Sequence, residues 1–325
     1  MLVLVLALGC GWNRNTRDLT DDNPPPDETA APVDSADTAE VIEPVIDCDN
    51  LPAAPITPTQ IEGARAYHGV AFDDLGNLIG WDGLNAIVKS TYTGEREVLA
   101  PGYGLVEGIA RMPDGYFVIA DSFNASLVRI SPEGGAEVLT ADAYGVYAVM
   151  VGPDGNLYIA DGGISRIDPI TGARTELVPM GYPWSAHVLE FSLDSRQMFI
   201  GTIGSGVVMV VELDDDLNPI TEPEPFATGV GTYWHDGIGI DVCGNLYVAD
   251  YGSSSLYRVS PDAVVERLVQ PQGALYGHGL EWGSGEGGWL DTALYQPQPY
   301  NGSTVREVVI GVPSGDTVRT WAGAP

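Results

Sequence analysis

The sequence predicts an all-β protein: a six-bladed β-propeller of four-stranded antiparallel blades, preceded by a signal segment and a disordered acidic linker. The first observation is a hairpin unit that occurs in six copies, spaced about 40 residues apart, which is typical of propeller blades. The second is that alternating apolar runs broken by glycine-rich turns fill the chain, and no segment has a sustained helical stripe. Closing six such blades into a ring leaves no free sheet edge.

The clearest copy of the unit runs from His235 to Asp250. Two alternating runs flank its turn, and Gly244 suits that turn because glycine adopts positive φ without Cβ strain. The pattern leaves open which terminal strand completes the ring, one near Ile56 or the run from Asp316 to Trp321. The other five turns are centred on Gly76, Gly115, Gly155, Ser195 and, less regularly, Glu286.

A non-aliphatic residue stands eight positions before each of these turn residues, and it is followed by a small residue or valine and then by an aliphatic one. Equivalent strand starts meet at one mouth of a propeller channel, so these side chains are expected to form a ring there. The ring residues are His68, Glu107, Tyr147, His187, Asp236 and His278. Three of the four histidines are therefore ring residues, and the fourth, His235, precedes Asp236.

Imidazole and carboxylate groups on one ring predict a divalent metal site, with Zn²⁺, Mn²⁺ or Fe²⁺ favoured over Ca²⁺, which prefers oxygen ligands. Three protein ligands and an open position would polarise a carbonyl or activate water. The expected ligands are His68, His187, Asp236 and His278; Asp236 is also expected to be catalytic, with Glu107 as a further ligand or general base and Tyr147 as a proton donor or substrate contact. The alternative is that a wide polar channel simply needs wettable side chains.

A second register, six positions after the turn residue, holds Asp in four units, and Lys or Arg usually follows. These carboxylates could bind calcium or substrate. The favoured interpretation is that each caps the turn after the second strand and pairs with a basic residue. The residues are Asp82, Asp121, Asp161 and Asp250.

The formal net charge of −31 and the pI near 4.1 argue against nucleic acid and against anionic membrane surfaces as partners, because both would be repelled. The expected partner is a small-molecule or peptide ligand in the central channel, and the chain is expected to be a monomer.

The apolar run that ends at Cys10 is too short to span a bilayer and resembles a bacterial lipoprotein signal, with Cys10 as the lipidated residue. Residues 1–10 are interpreted as this signal peptide, residues 11–50 as a disordered linker rich in Asp, Thr, Ala and Pro, and residues 51–325 as the propeller. The expected location is the cell envelope, as an outer-membrane lipoprotein or a periplasmic or extracellular protein, with membrane contact only through the lipid anchor.

The two other cysteines are Cys48 and Cys243. An oxidising compartment would permit a disulfide between them, and two unpaired thiols are the alternative.

The Asp-Gly-Asn turns and Tyr-Ile-Ala-Asp strand resemble NHL-repeat propellers. The segments Leu189–Asp194 and Asp236–Asp250 resemble the family of senescence marker protein, gluconolactonase and luciferin-regenerating enzyme. The resemblance, over roughly residues 65 to 315 of the repeat region, implies a divalent metal on the channel axis with Asp236 as a ligand. His187 and His68 stand where that family has Asn and Glu. Tyr147-Ala148 stands where those lactonases have the Asn-Asp of their substrate segment.

Three functions remain from different classes. A metal-dependent hydrolase of esters or lactones follows from the family resemblance. A zinc-dependent lyase follows from His68-Gly69 and His278-Gly279, which resemble the first-strand pattern of peptide α-amidating lyase propellers. A non-enzymatic binding or scaffold propeller at the cell surface follows from the linker and from the missing lactonase segment.

Overall fold

The computed structural model describes residues 46–181, 184–270 and 277–320, which form six four-stranded antiparallel sheets. The predicted six-bladed all-β propeller is confirmed. Within these ranges one short 3-10 helix occurs, at Gly315–Thr317, and no helix has the length and apolarity needed to cross a membrane. The predicted signal peptide with Cys10, and the predicted linker up to residue 45, lie outside the described residues.

The strands are numbered in chain order, and β1 (Thr59–Ile61) precedes the first blade. Blade one contains β2 (Val70–Phe72), β3 (Leu78–Trp81), β4 (Ala86–Ser90) and β5 (Arg96–Pro101). Blade two contains β6 (Val106–Arg111), β7 (Phe117–Asp121), β8 (Ser126–Ile130) and β9 (Ala136–Thr140). Blade three contains β10 (Ala148–Val151), β11 (Leu157–Ala160), β12 (Ile164–Ile167) and β13 (Arg174–Val178).

Blade four contains β14 (Ser185–Phe191), β15 (Gln197–Ile203), β16 (Val207–Glu212) and β17 (Glu224–Thr228). Blade five contains β18 (His235–Ile240), β19 (Leu246–Asp250), β20 (Ser255–Val259) and β21 (Val265–Val269). Blade six contains β22 (Glu281–Trp282), β23 (Ala293–Gln298), β24 (Thr304–Val309) and β1.

The hairpin of β18 and β19 shows why the repeated unit folds locally. Gly244 lies in the turn with φ of +82°, as the sequence predicted. One side-chain oxygen of Asp241 accepts the backbone N–H groups of Cys243 and Asn245, at 2.8 and 2.9 Å, so the turn satisfies its own donors. Ile238 then pairs with Val248 in the antiparallel register.

Blade six is closed by the N-terminal strand. β1 pairs antiparallel with β24, and the Nε2 group of Gln60 donates to the Val305 carbonyl at 2.9 Å. Ile61 is buried in the same apolar cluster as Val305 and Trp289. Of the two candidates for the closing strand, the one near Ile56 is therefore correct, and the C-terminal candidate instead begins with the 3-10 helix.

A disulfide joins Cys48 to Cys243, with their Cα atoms 5.7 Å apart and a sequence separation of 195. Cys243 lies in the turn between β18 and β19, so the bond ties the segment before β1 to blade five. The Ile56 N–H group also donates to the Leu268 carbonyl of blade five, at 2.7 Å. Residues 46–50, the end of the segment interpreted as linker, are therefore held against the propeller.

Candidate metal centre

The ring residues lie at the starts of the innermost strands, where neighbouring strands approach closely. The Gly69 N–H group donates to the Glu107 carbonyl at 2.6 Å, and the Gly279 N–H group donates to the Asp236 carbonyl at 2.7 Å. A Cβ atom on Gly237 would lie 2.5 Å from the Gly279 carbonyl. The glycine after four of the ring residues is thus explained, because it lets neighbouring strands approach closely.

The structure brings the ring residues together through a series of side-chain contacts. The Nδ1 atom of His68 lies 2.9 Å from a carboxylate oxygen of Glu107. The rings of His68 and His278 meet edge to face, with centroids 4.1 Å apart. Because Glu107 engages Nδ1, the free ligand atom of His68 is Nε2, an arrangement common for metal-binding histidines.

Asp236 lies at the centre of the ring contacts. Its Oδ2 atom lies against Nδ1 of His278, and its Oδ1 atom is 3.5 Å from Nδ1 of His187. Burial alone would raise the pKa of Asp236, but the favourable charge interaction with His278, supported by those with His187 and His68, outweighs burial and lowers the pKa. Asp236 is therefore a buried carboxylate that stays ionised at neutral pH.

Three ring residues fulfil the distance requirement for a shared metal ion. His68, Asp236 and His278 each offer one ligand atom, and the three atoms lie within 4.8 Å of one another. The Nε2 atom of His278 is buried and makes no hydrogen bond within the described part of the chain, whereas its Nδ1 atom faces Asp236 Oδ2 in the ion pair. Buried polar atoms are normally satisfied, so this group has the chemistry of a metal site.

His187 lies beside this group but outside it. Its Nδ1–H group donates to the His235 carbonyl at 2.7 Å. Burial lowers the pKa of His187 against the opposing effect of Asp236, so the imidazole is neutral. The sequence predicted His187 as a ligand. In the structure it lies next to Asp236 but does not belong to the group of three residues whose ligand atoms converge.

His235, the fourth histidine, is a structural residue. The Thr202 N–H group donates to its Nδ1 atom at 3.1 Å, and its Nε2–H group donates to the Val230 carbonyl at 2.6 Å. Both nitrogens are thereby satisfied, and the side chain is fully buried. It positions the start of β18 and has no free lone pair for a ligand.

Tyr147 completes the ring beside His187, with ring centroids 4.3 Å apart. Its side chain is partly exposed and lines the central cavity. The role expected for Tyr147, as a substrate contact or proton donor, stays a prediction.

A cavity of about 570 Å³ extends from the ring residues along the inner strands to the opposite face. Carboxylates outnumber basic groups on its walls, so the cavity attracts cations and repels anions. The acidic lining residues are Asp73, Asp74, Glu107, Glu190, Asp236, Glu281, Glu286 and Asp316, and the basic ones are Arg111 and, when protonated, His68.

The structure reveals a second group of carboxylates deeper in this cavity, at Glu190 and Glu281. The chain after β24 carries Arg319 across the opposite face, where it pairs with Glu190 and Asp316. Burial raises the pKa of Glu190 to about 7 despite Arg319, and burial with Asp316 and Glu190 nearby raises the pKa of Glu281 to about 8. A sequence signal existed, since both glutamates stand three residues after a ring histidine, where the other units have Ala, Met or Gly.

We expect Glu281→Gln to stabilise the protein at alkaline pH and to have little effect at pH 4. The folded state holds a proton on Glu281 up to about pH 8 that the unfolded state releases near its ordinary pKa, so wild-type stability falls as pH rises through this window. The glutamine variant lacks this loss, and its advantage should approach ~2 kcal/mol at pH 9, after allowance for partial exposure. Chemical unfolding at pH 4, 7 and 9 measures the difference, and a constant difference would contradict the assignment.

The aspartates of the second register cap turns, as favoured from the sequence. Oδ1 of Asp82 accepts three backbone N–H groups, at 2.8, 2.9 and 3.1 Å, and Asp250 accepts those of Thr232 and Ser253 at 3.0 Å. Of the expected pairing with a basic residue, the ion pairs of the described chain show one case: Asp161 pairs with Arg174 in the outermost strand of its own blade, at 2.5 Å.

No protein-family model matches the chain, and a search of curated proteins found no match. Solved structures do match. A calcium-binding regucalcin from Agrobacterium tumefaciens C58 is 18% identical, with a TM-score of 0.64 over 80% of this chain and 96% of that chain. A gluconolactonase from Xanthomonas campestris is 14% identical, with a TM-score of 0.65 over 84% of this chain and 99% of that chain.

An auxiliary nutrient binding protein from Bacteroides thetaiotaomicron is 12% identical, with a TM-score of 0.60 over 77% of this chain and 70% of that chain. At such identities the similarity concerns architecture and not activity. The resemblance to the gluconolactonase group is thus confirmed at the level of the fold, and the chain shares the six-bladed propeller architecture of the regucalcin and the gluconolactonase.

Proposed function

We propose that this protein is a divalent-metal-dependent hydrolase that acts on an ester or a lactone at the ring end of the central cavity. The observation that carries the proposal is the convergence of ligand atoms from His68, Asp236 and His278, together with the buried Nε2 atom of His278, which makes no hydrogen bond in the described structure. The shared fold with a gluconolactonase and a calcium-binding regucalcin supports the same class.

His68, Asp236 and His278 would hold the cation, and the mixed nitrogen and oxygen ligands suit Zn²⁺, Mn²⁺ or Fe²⁺ better than Ca²⁺. When bound, a divalent cation would supply polarisation of the scissile carbonyl and a lowered pKa for water. Glu107 would orient His68 through its carboxylate, which lies 2.9 Å from Nδ1. Tyr147, which lines the cavity, would contact the substrate.

The substrate is not expected to be a sugar lactone of the kind that the resemblance implied. Tyr147-Ala148 replaces the Asn-Asp pair of the substrate segment, and the Tyr147 ring packs on His187 instead of presenting an amide and a carboxylate. The predicted location in the cell envelope, through Cys10, remains part of this proposal.

A binding role is the second candidate, because the nutrient binding protein from Bacteroides thetaiotaomicron shares the fold. Elemental analysis of the purified full chain, followed by a panel of esters and lactones with and without added metal, separates the two. If the protein is a hydrolase, the metal content should be near-stoichiometric, and a chelator should abolish turnover. Absence of turnover across the panel with metal bound would leave the binding role.

A further inference from the structure

The segment that follows β24, the strap (residues 312–320), crosses the end of the cavity that lies opposite the ring residues. The Pro313 carbonyl accepts the Val242 N–H group of blade five, at 3.2 Å. The Thr320 N–H group donates to the Leu193 carbonyl of blade four, at 2.7 Å. The strap therefore runs from blade six, where β24 ends, over the turns of blades five and four.

The strap forms part of the cavity wall at this far end. Ser314 and Asp316 line the cavity. Gly315 between them is buried, and a Cβ atom added to it would lie 2.5 Å from Cδ2 of Leu193 and 2.9 Å from Cγ2 of Ile240. The strap thus lies directly on the two blades that it crosses.

Arg319 fastens the end of the strap. The other residues from 316 to 320 are exposed, whereas the side chain of Arg319 is only 8% exposed. Its guanidinium pairs with Glu190 on the cavity wall and with Asp316 on the strap, and it donates to the Phe191 carbonyl at 3.0 Å. Closure of this end of the strap therefore depends mainly on one ion-paired side chain.

The carboxylates beneath the strap are not balanced by Arg319. Glu281 of blade six lines the same cavity and makes no ion pair with Lys or Arg among the described residues. Its charge interactions with Asp316 and Glu190 are repulsive. Three carboxylates thus depend on a single guanidinium, and a buried excess of negative charge costs free energy.

The other charged groups at this end do not correct the imbalance. Arg111 pairs with Asp74, and Arg196 pairs with Asp215, so neither cation is engaged by the carboxylates beneath the strap. The remaining groups on the cavity wall or on the turns under the strap are all acidic. They are Asp73, Asp194, Asp241 and Glu286.

Protonation removes the imbalance while the strap is closed. Burial raises the pKa of Glu190 to about 7 and, with repulsion from the neighbouring carboxylates, that of Glu281 to about 8. If the strap lifts, water reaches both groups and each pKa returns toward its ordinary value of 4.5. The closed state then binds more protons than the open one, so it loses stability as pH rises through about 7 to 8.

We propose that the strap is a pH-sensitive closure of the far end of the cavity, which stays closed while Glu190 and Glu281 are protonated and loosens when both are ionised. The closure uses none of the three candidate metal ligands, and it does not depend on the proposed hydrolase function.

Hydrogen exchange of the full-length protein, followed by mass spectrometry at pH 6 and pH 9, tests the proposal. Protection factors correct for the intrinsic pH dependence of exchange. They should fall at least about tenfold in peptides that cover the strap, and less than about twofold in peptides that cover β9 of blade two. Glu281→Gln should reduce the fall in the strap to about threefold, because it removes one of the two titrating groups.

Arg319→Gln tests the ion pairs separately, at pH 7. Without the guanidinium, protection of the strap should be at least about tenfold lower than in the wild type. Arg196→Gln removes a cation from a turn beneath the strap and should leave protection unchanged. Strap protection that is constant between pH 6 and pH 9, an equal fall in β9, an undiminished fall in Glu281→Gln, or wild-type protection in Arg319→Gln would each overturn the proposal.

Discussion

Asp236→Asn should abolish stoichiometric metal binding and reduce ester or lactone turnover by about 100-fold or more. Asp236 is the only carboxylate in the three-residue ligand group, and its two oxygens face His278 and His187. Asparagine preserves the size of the side chain but removes the charge that a divalent cation requires. Metal content by elemental analysis and kcat/KM on the same preparation are the two measurements.

Asp262→Asn is a matched control, because Asp262 lies in the same blade, is exposed, and undergoes the same loss of charge. It should retain both metal and turnover. Circular dichroism of both variants would show that the propeller is intact. If the Asp236 variant bound metal as tightly as the wild type, the three-residue group would not be the metal site.

Removal of the disulfide with Cys48→Ser and Cys243→Ser should cost about 2–5 kcal/mol of stability, the range for a native disulfide. The bond closes a loop across 195 residues, which restricts the unfolded chain strongly. Thermal unfolding should show a Tm lower by about 5 °C or more.

A reductant supplies the control for this prediction. It should lower the Tm of the wild type to that of the double variant and leave the variant unchanged. If reduction left the wild-type Tm unaltered, the segment around Cys48 would contribute nothing to the stability of the propeller.

The blades were predictable from sequence because their signals are local. The Asp241 side chain, the positive φ of Gly244 and the alternation on either side together specify a hairpin within about 16 residues, and the copies could be aligned on it. The same alignment identified all six ring residues, because equivalent positions of the blades lie at the same depth of a propeller channel.

Which of the six ring residues bring their ligand atoms together was not predictable in the same way. Whether His187 lies with the ligand atoms depends on its hydrogen bond to the His235 carbonyl and on the direction of its side chain. The position of a residue in the repeat determines neither of these. The closing strand and the position of Arg319 are also non-local: Gln60 bonds a residue 245 positions later, and Arg319 pairs with a residue 129 positions earlier. Contacts between residues so far apart produce no repeating pattern in the sequence.

Closure by β1 has a consequence for the biosynthesis of the chain. The partner of β1 is β24, and Gln60 of β1 bonds a residue 245 positions later, so the nascent protein must carry β1 unpaired until the intervening blades have been synthesised. Contacts at such sequence separations form slowly, and exposed strand edges invite association with other chains. The closed propeller should therefore resist association with other chains, whereas a nascent chain is exposed to such association until β24 pairs with β1.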